Sequence, residues 1–229
     1  ELDYIFALAD LARIQKDWDL AIEYYIKGYN TDNIAINGLE QALQIAIAIN
    51  NFNKAEQVCE LLLIEQPNNI KIVQTLIDLS LFNKNYDLSL KMLNKLENIN
   101  GVSIEIAIQK SVIYQELQNQ EEALNVLLEL VKIDSNDANI LDRIVNLLIE
   151  QKNNPQAVIY NKQLIENFPE DPRGYINNAI IALGSKNPEG AVKSLEPYIE
   201  KFTNNFTFQY LIGTAYYQLK DYDKSKGYL

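Results

Sequence analysis

The sequence contains no histidine and only one cysteine, Cys59, among its 229 residues. It therefore lacks the commonest general base and the commonest metal ligand. One thiol can form neither an intrachain disulfide nor a thiolate metal site. Neither a GxxxxGK[ST] phosphate loop nor a GxGxxG dinucleotide motif occurs in it. These absences predict a protein that is not an enzyme, with no catalytic residues, no cofactor and no metal.

Glycine, proline and basic residues are also scarce. Eight glycines and six prolines argue against a loop-rich β-sandwich and favour helices. No apolar run approaches the roughly 20 residues that span a bilayer, so we expect no membrane insertion and a soluble protein, with the cytoplasm favoured over the periplasm. The net charge of −11 argues against nucleic acid as a partner, because phosphate binding needs Lys and Arg.

A small residue recurs at every thirty-fourth position of the chain. Four residues before each of these positions stands an Asp or Asn, beginning with Asp17 and ending with Asp221. An internal period between 20 and 50 residues is typical of a repeat array. The small residues of the series are Ala21, Ala55, Ser89, Ala123, Ala157, Ala191 and Ser225.

Each repeat carries two apolar stripes with helical spacing, separated by a short polar stretch. In the second repeat, Asn51 is expected to end the first helix in the left-handed conformation, and Asn53 to cap the second. Pro67 ends the repeat. Cys59 falls on the second stripe and is predicted to be a core filler. The two stripes are Leu39, Ala42, Leu43, Ala46 and Ile49, then Ala55, Val58, Cys59, Leu62 and Leu63.

This pattern resembles the tetratricopeptide repeat (TPR) family, whose repeats are 34-residue helix pairs. The resemblance implies an all-α fold, a right-handed α-solenoid (superhelix) of antiparallel helix-turn-helix units. Lys110 and Asn178 depart from it, because the family prefers Leu there, and Pro197 is expected to kink its helix or shift the helix start. We predict a single array of seven repeats, at approximately 2–35, 36–69, 70–103, 104–137, 138–171, 172–205 and 206–229, the last one incomplete.

The resemblance also implies that the first helices of the repeats line a concave groove that holds a peptide. We place repeat positions 2, 5, 9, 12 and 13 on this groove face. Acids outnumber bases on it, which favours a neutral, apolar or basic partner. The fifth positions carry no Lys or Arg, which argues against the clamp that grips chaperone C-termini in some family members. The predicted partner-binding residues are Ile108, Val112, Ile176, Ile180, Leu183, Tyr210 and Tyr217, with the acids Asp10, Glu40 and Asp78.

Two questions stay open at the level of the sequence. Neighbouring repeats could bury part of the apolar set, or a hydrophobic or amphipathic helix could dock on it. The favoured function is a scaffold that binds a peptide or helical segment of a partner protein. The alternatives are a self-assembly module that forms homo-oligomers through uncapped repeat ends, and the recognition arm of a larger enzyme. The incomplete last repeat indicates a segment of a longer protein, or an end that packs against another copy.

Overall fold

The computed structural model describes residues 1–32, 36–133 and 137–229. Within these ranges the regular structure consists of helices, with no strand, so the all-α prediction is confirmed. The helices are α1 Leu2–Ile14, α2 Trp18–Thr31, α3 Ile36–Ala48, α4 Phe52–Glu65, α5 Ile70–Phe82, α6 Tyr86–Asn100, α7 Ile104–Glu116, α8 Gln120–Ile133, α9 Ala138–Glu150, α10 Asn154–Asn167, α11 Pro172–Gly184, α12 Pro188–Leu195, α13 Phe206–Gln218 and α14 Tyr222–Tyr228.

The tight turn inside each helix pair is built in the same way seven times. Its central residue has a positive φ, between +56° and +63°. In the second repeat the Asn50 N–H donates to the Ile47 carbonyl, and the Asn51 N–H donates to the Ala46 carbonyl. These two bonds satisfy carbonyls at the end of the first helix and reverse the chain. The seven residues are Lys16, Asn50, Lys84, Gln118, Lys152, Lys186 and Lys220.

The recurrent Asp or Asn is the N-cap of the second helix. The Asn51 side chain accepts from the Lys54 N–H at 3.3 Å, which satisfies an amide that the helix itself leaves unpaired. The prediction that Asn51 is left-handed and Asn53 is the cap was therefore wrong. Asn50 has the left-handed φ of +59°, and Asn53 lies inside α4. Helix α4 starts earlier than expected because the turn after α3, a Schellman turn, needs only one left-handed residue before the N-cap Asn51.

The small residue of each repeat lies in the first or second turn of the second helix, and all seven are buried. A larger side chain there would separate the two helices of the pair. Cys59 is also fully buried, as predicted. Burial raises the pKa of its thiol to about 12, and the nearby Glu56 and Glu60 add to this rise, so the thiol stays protonated near neutral pH.

The chain divides into two compact bodies, Glu1–Ile106 and Ala107–Leu229. In the N-terminal body, each helix from α1 to α6 packs against the next along the chain. In the C-terminal body the same holds from α8 to α14. There α11 also contacts α9 and α13, so first helices of successive repeats lie side by side. This is the neighbour-to-neighbour packing of an α-solenoid.

Pro197 ends a helix instead of kinking it. Helix α12 ends at Leu195, and a single 3-10 turn, Glu196–Tyr198, follows it. Proline has no N–H, so it cannot donate the next helical hydrogen bond. The repeat boundaries stay predictions, and the end of the first predicted repeat, at residue 35, lies outside the described residues.

Candidate partner-binding surface

The predicted apolar residues of the C-terminal body differ in how far they are exposed. Tyr210 and Tyr217 are 51% and 61% exposed, and Val112 is 38% exposed. Tyr210 stacks on Phe206, and Tyr217 meets Tyr222 edge to face. In contrast, Ile176 and Leu183 pack against the buried core around Tyr175 and Phe208, so core packing partly buries these two predicted residues. Ile108 and Ile180 are half-buried.

The predicted acids Asp10, Glu40 and Asp78 are exposed on α1, α3 and α5 of the N-terminal body. Asp10 accepts a hydrogen bond from the Tyr25 hydroxyl at 2.8 Å and lies 3.3 Å from the Arg13 guanidinium. Part of its charge is therefore satisfied within this body. Burial, together with the neighbouring Asp10 carboxylate, raises the pKa of Tyr25.

A polar pocket of about 480 Å³ opens between first helices of the C-terminal body. Helices α7, α9 and α11 each contribute side chains to it. Most of its residues stand at the repeat positions assigned to the groove face, and Ile108 belongs to the predicted partner-binding set. The polar pocket is lined by Ile108, Gln115, Asn139, Asp142, Arg143, Asn146, Leu147 and Arg173.

Arg173 holds one side of the polar pocket in place. Its guanidinium contacts Asp171 through two nitrogens, at 2.5 and 3.0 Å, and donates to Asn139 Oδ1 at 2.9 Å. Asp171 is also the N-cap of α11 and accepts from the Arg173 backbone N–H. Asp142 accepts from Asn177 at 2.8 Å. This network fixes α11 against α9 and gives both carboxylates a hydrogen-bond donor.

The same network shifts two pKa values. The hydrogen bonds from Arg173 lower the pKa of the Asp171 carboxyl, although desolvation opposes them. The hydrogen bonds to Asp171 raise the pKa of the Arg173 guanidinium, and the nearby Asp142 and Asp137 add to this rise. Both groups are therefore held in their charged forms, as expected of a partly buried ion pair.

Arg143 differs from the other two arginines. Arg13 and Arg173 each form an ion pair, whereas Arg143 is half-buried and pairs with no carboxylate of the described residues. Gln115 and Asn146 also line the polar pocket, and within the described ranges their side-chain nitrogens donate no hydrogen bond. The polar pocket therefore has one guanidinium, that of Arg143, with no ion pair to a described residue, beside the amide groups of Gln115 and Asn146.

The N-terminal body has its own shallow pocket, about 460 Å³ in volume. Trp18, which is 36% exposed, forms one wall, and side chains of α3 form the other. The sequence predicted three of its members, at repeat positions 9, 12 and 13, as groove residues. This pocket is lined by Arg13, Trp18, Gln41, Gln44, Ile45, Ala48 and Ile49.

Reasoning from the sequence missed Arg143. It occupies position 6 of its repeat, one residue beyond the stripe assigned to the groove. A signal was available, because only three arginines occur in the chain and this one lies on a first helix. The sequence placed Asn139, Asp142 and Asn146 on the groove face without assigning them a role.

Neither a membrane-spanning helix nor a metal centre is visible in the described part of the chain. No helix in it has both the length and the apolar character that crossing a membrane requires. The described ranges also contain no group of three or more Cys, Asp or Glu side chains placed to hold a metal ion.

Comparison with known proteins identifies the family. Residues 29–196 match the family model of the ChAPs, the Chs5p-Arf1p-binding proteins. The chain belongs to the ChAPs family. Residues 206–229 of this ChAPs chain match a tetratricopeptide repeat model, so the resemblance to the TPR family is confirmed. A search of curated proteins found no match.

Several solved structures share the fold of the ChAPs chain at 14% identity. MamA, residues 41 to the end, from Desulfovibrio magneticus RS-1 has a TM-score of 0.58 and covers 69% of this chain and 90% of its own. PilW, a type IV pilus biogenesis factor, has a TM-score of 0.57 and covers 84% of this chain and 90% of its own. YrrB, described as a TPR protein with an unusual peptide-binding site, has a TM-score of 0.55 and covers 82% of this chain and 97% of its own. At this identity the likeness shows the TPR solenoid fold alone.

Proposed function

We propose that this chain is a non-catalytic scaffold that binds a segment of a partner protein on the first helices of its C-terminal body. The polar pocket is the observation that carries this proposal. Side chains from α7, α9 and α11 converge on it, and a concave site with a few polar groups is the usual form of a binding site. Exposed Tyr210 and Tyr217 on α13 extend the proposed contact surface, because exposed aromatic side chains are common binding anchors.

The proposed partner is a protein or peptide, either an extended segment or an amphipathic helix. Over most of its length we expect it to be neutral, apolar or basic, because acids outnumber bases on the groove face. Val112 and Ile180 would contact its apolar side chains. Ile176 and Leu183, being packed on the core, contribute less than the sequence predicted. On the N-terminal body, Asp10, Glu40 and Asp78 are proposed as contacts for basic side chains.

The relatives supply first candidates for the partner. The family name describes proteins that bind Chs5p and Arf1p, so these two are the first proteins to test with this chain. YrrB is described as having a peptide-binding site, which supports the use of peptides as probes. In both cases the ligand belongs to the relative, and its binding here is part of the proposal.

The test is a selection of random peptides displayed on phage against the folded chain, followed by affinity measurements on single synthetic peptides. Purified Chs5p and Arf1p are measured alongside. Asn146→Arg places a large charged side chain in the polar pocket from an exposed position and should weaken binding at least about tenfold. Circular dichroism must show that the variant keeps its helices.

A matched control carries the same change at Asn94, on α6 of the N-terminal body. Asn94→Arg should leave the affinity unchanged, because α6 is the second helix of its pair and lies outside the proposed surface. Equal loss of affinity in both variants, or no selected ligand of any kind, would contradict the proposed function. Ligands that Asn94→Arg weakens and Asn146→Arg does not would move the site to the second helices.

A further inference from the structure

An apolar cleft lies between two second helices of the N-terminal body. Helices α4 and α6 both pack against α5, and a cleft of about 420 Å³ opens between them. Buried Leu76 and Met92 line it, together with half-buried Leu63 and Leu88. Ile64, which is 66% exposed, also lines it. We call this site the apolar cleft.

The dimensions of the apolar cleft restrict the shape of its occupant. Leu88 and Asn98, the first and last of its residues on α6, are separated by about 15 Å along the helix. A volume of about 420 Å³ over that length corresponds to a channel about 6 Å across. A helix with its side chains is about 10–12 Å wide and cannot enter such a channel. A single unbranched carbon chain can lie along it.

The rim of the apolar cleft carries two cations and one acid. Lys91 and Lys95 stand one turn apart on α6, and Glu60 stands on α4. Neither lysine forms an ion pair with a described residue, although the chain has a net charge of −11. The two ammonium groups outnumber the single carboxylate, so the rim favours an anionic head group.

From this shape and this charge we propose that the apolar cleft binds a medium-chain fatty acid in its ionised form. The alkyl chain lies against the apolar walls, where removal of its methylene groups from water stabilises the complex. The carboxylate is held at the rim by Lys91 and Lys95, whose flexible ammonium groups act as point charges. The proposal is independent of the proposed function, because the partner-binding surface lies on first helices of the C-terminal body.

The single methionine of the chain allows a direct test. Met92 lines the apolar cleft and is 6% exposed, and the sequence contains no other methionine. The full chain, prepared without an initiator methionine and labelled with ¹³C at the methionine methyl group, therefore gives one methionine signal in a ¹H–¹³C NMR spectrum. The probes are octanoate, hexanoate, neutral octanamide and octylammonium at neutral pH. An acidic amphipathic peptide of leucine and glutamate is the fifth probe.

We expect octanoate to shift the Met92 methyl signal in a saturable way, with a dissociation constant below about 10 mM. Hexanoate should bind about tenfold more weakly, because it lacks two methylene groups. Octanamide should bind about threefold more weakly than octanoate, and octylammonium more weakly still.

Four results would overturn the proposal. Octanoate that causes no saturable shift removes the site. Hexanoate that binds as tightly as octanoate removes the role of the alkyl chain. Octanamide or octylammonium that binds at least as tightly as octanoate removes the anionic head group. A saturable shift with the acidic peptide and none with octanoate would assign the apolar cleft to a protein segment instead.

Substitutions locate the bound fatty acid. Ile64→Asn removes part of one apolar wall and should weaken octanoate binding at least about fivefold. Ile159→Asn is the matched control, because Ile159 is 58% exposed on α10, a second helix of the C-terminal body. It should leave the titration unchanged. Equal weakening by both substitutions would contradict binding in the apolar cleft, and circular dichroism checks that both variants keep their helices.

The lysines are tested through the charge of the ligand. Lys91→Gln combined with Lys95→Gln should weaken octanoate binding about fivefold and leave octanamide binding unchanged. A purely structural role of the lysines would change the binding of both ligands alike, and that result would overturn the assignment of the head group to Lys91 and Lys95.

Discussion

The guanidinium of Arg173 donates a hydrogen bond to the side-chain oxygen of Asn139, 34 positions earlier in the chain, at 2.9 Å. Both residues stand at the second position of their repeats. The bond joins α9 to α11, while Asp171 holds the same guanidinium at the N-terminus of α11. One arginine therefore ties two successive repeats together and shapes the wall of the polar pocket.

Replacing Arg173 with glutamine should lower the stability of the C-terminal body. The change removes the hydrogen bonds of the guanidinium to Asp171 and Asn139 and leaves Asp171, 19% exposed, without its cation. We expect the free energy of unfolding in urea to fall by about 1–3 kcal/mol. The control is Lys162→Gln, which breaks an ion pair whose side chains are 73% and 61% exposed and should cost less than about 1 kcal/mol. Similar losses in both variants would contradict the role given to Arg173.

The Arg173–Asp171 contact should also make stability depend on pH in the acid range. The pKa of Asp171 is lowered from its ordinary 3.8, so the folded state binds its proton less readily than the unfolded state. The stabilisation from this contact is complete above about pH 3.8 and is lost as the pH falls through the lowered pKa of Asp171. The difference in unfolding free energy between wild type and Arg173→Gln should therefore shrink in this range. A difference that is constant down to strong acid would contradict this prediction.

Two isoleucines on α11, four residues apart, should respond differently to a charge. Ile176 packs against the core of the C-terminal body, so Ile176→Lys should lower the free energy of unfolding by about 2–5 kcal/mol. Ile180 is half-buried and lies outside that core cluster. Ile180→Lys should cost less than about 1.5 kcal/mol, and the variant should be suitable for binding measurements. Urea denaturation of both variants measures this difference, and equal losses of unfolding free energy would place Ile180 in the core as well.

The features of the fold that repeat every 34 residues were predictable from the sequence. The small residue at Ala21 and its six equivalents is buried in every repeat, because the closeness of each helix pair depends on that one position. The turn was located correctly but placed one residue too late at Asn51. Either Asn50 or Asn51 could adopt the left-handed conformation, and the φ of +59° shows that it is Asn50.

The candidate site was less predictable, because it depends on contacts between repeats. The period places Ile176 and Ile180 on the same face, and packing against Tyr175 and Phe208 distinguishes them. The prediction assigned five positions of each repeat to the groove face, and Arg143 is not at any of them. The true width of that face depends on the angle between neighbouring helices. A period in the sequence does not specify that angle.

The N-cap residues offer a test of a single hydrogen bond in matched surroundings. Asn119 accepts from the Glu122 N–H at 3.3 Å, whereas the side chain of Asn153, at the equivalent position of the next repeat, makes no capping bond. Asn119→Ala should lower the free energy of unfolding by about 1 kcal/mol, and Asn153→Ala by less. The measurement is thermal unfolding followed by circular dichroism. A larger loss of stability for Asn153→Ala would show that the location of the residue in the chain, and not the capping bond, determines the cost of the substitution.

A hydrogen-bonded pair of amides in the C-terminal body, buried Asn161 and half-buried Asn178, should show strong coupling. Asn161 is fully buried, where the second, third, fourth and sixth repeats have Cys59, Leu93, Leu127 and Leu195. Its nitrogen donates to Asn178 Oδ1 and to the Gly174 carbonyl, each at 2.8 Å. Its own oxygen has no partner among the described residues, and an unpaired buried oxygen carries a desolvation cost.

We therefore predict that Asn161→Leu and Asn178→Leu together stabilise the chain, while each change alone costs about 1–2 kcal/mol. A single change leaves one amide beside leucine without its partner, whereas the double change removes both polar groups and fills the core as the other repeats do. The four free energies of unfolding form a double-mutant cycle, and the coupling should exceed about 1 kcal/mol. Additive losses would mean that the two amides act independently and that the unpaired oxygen of Asn161 is solvated, so that the pair stabilises the wild-type protein.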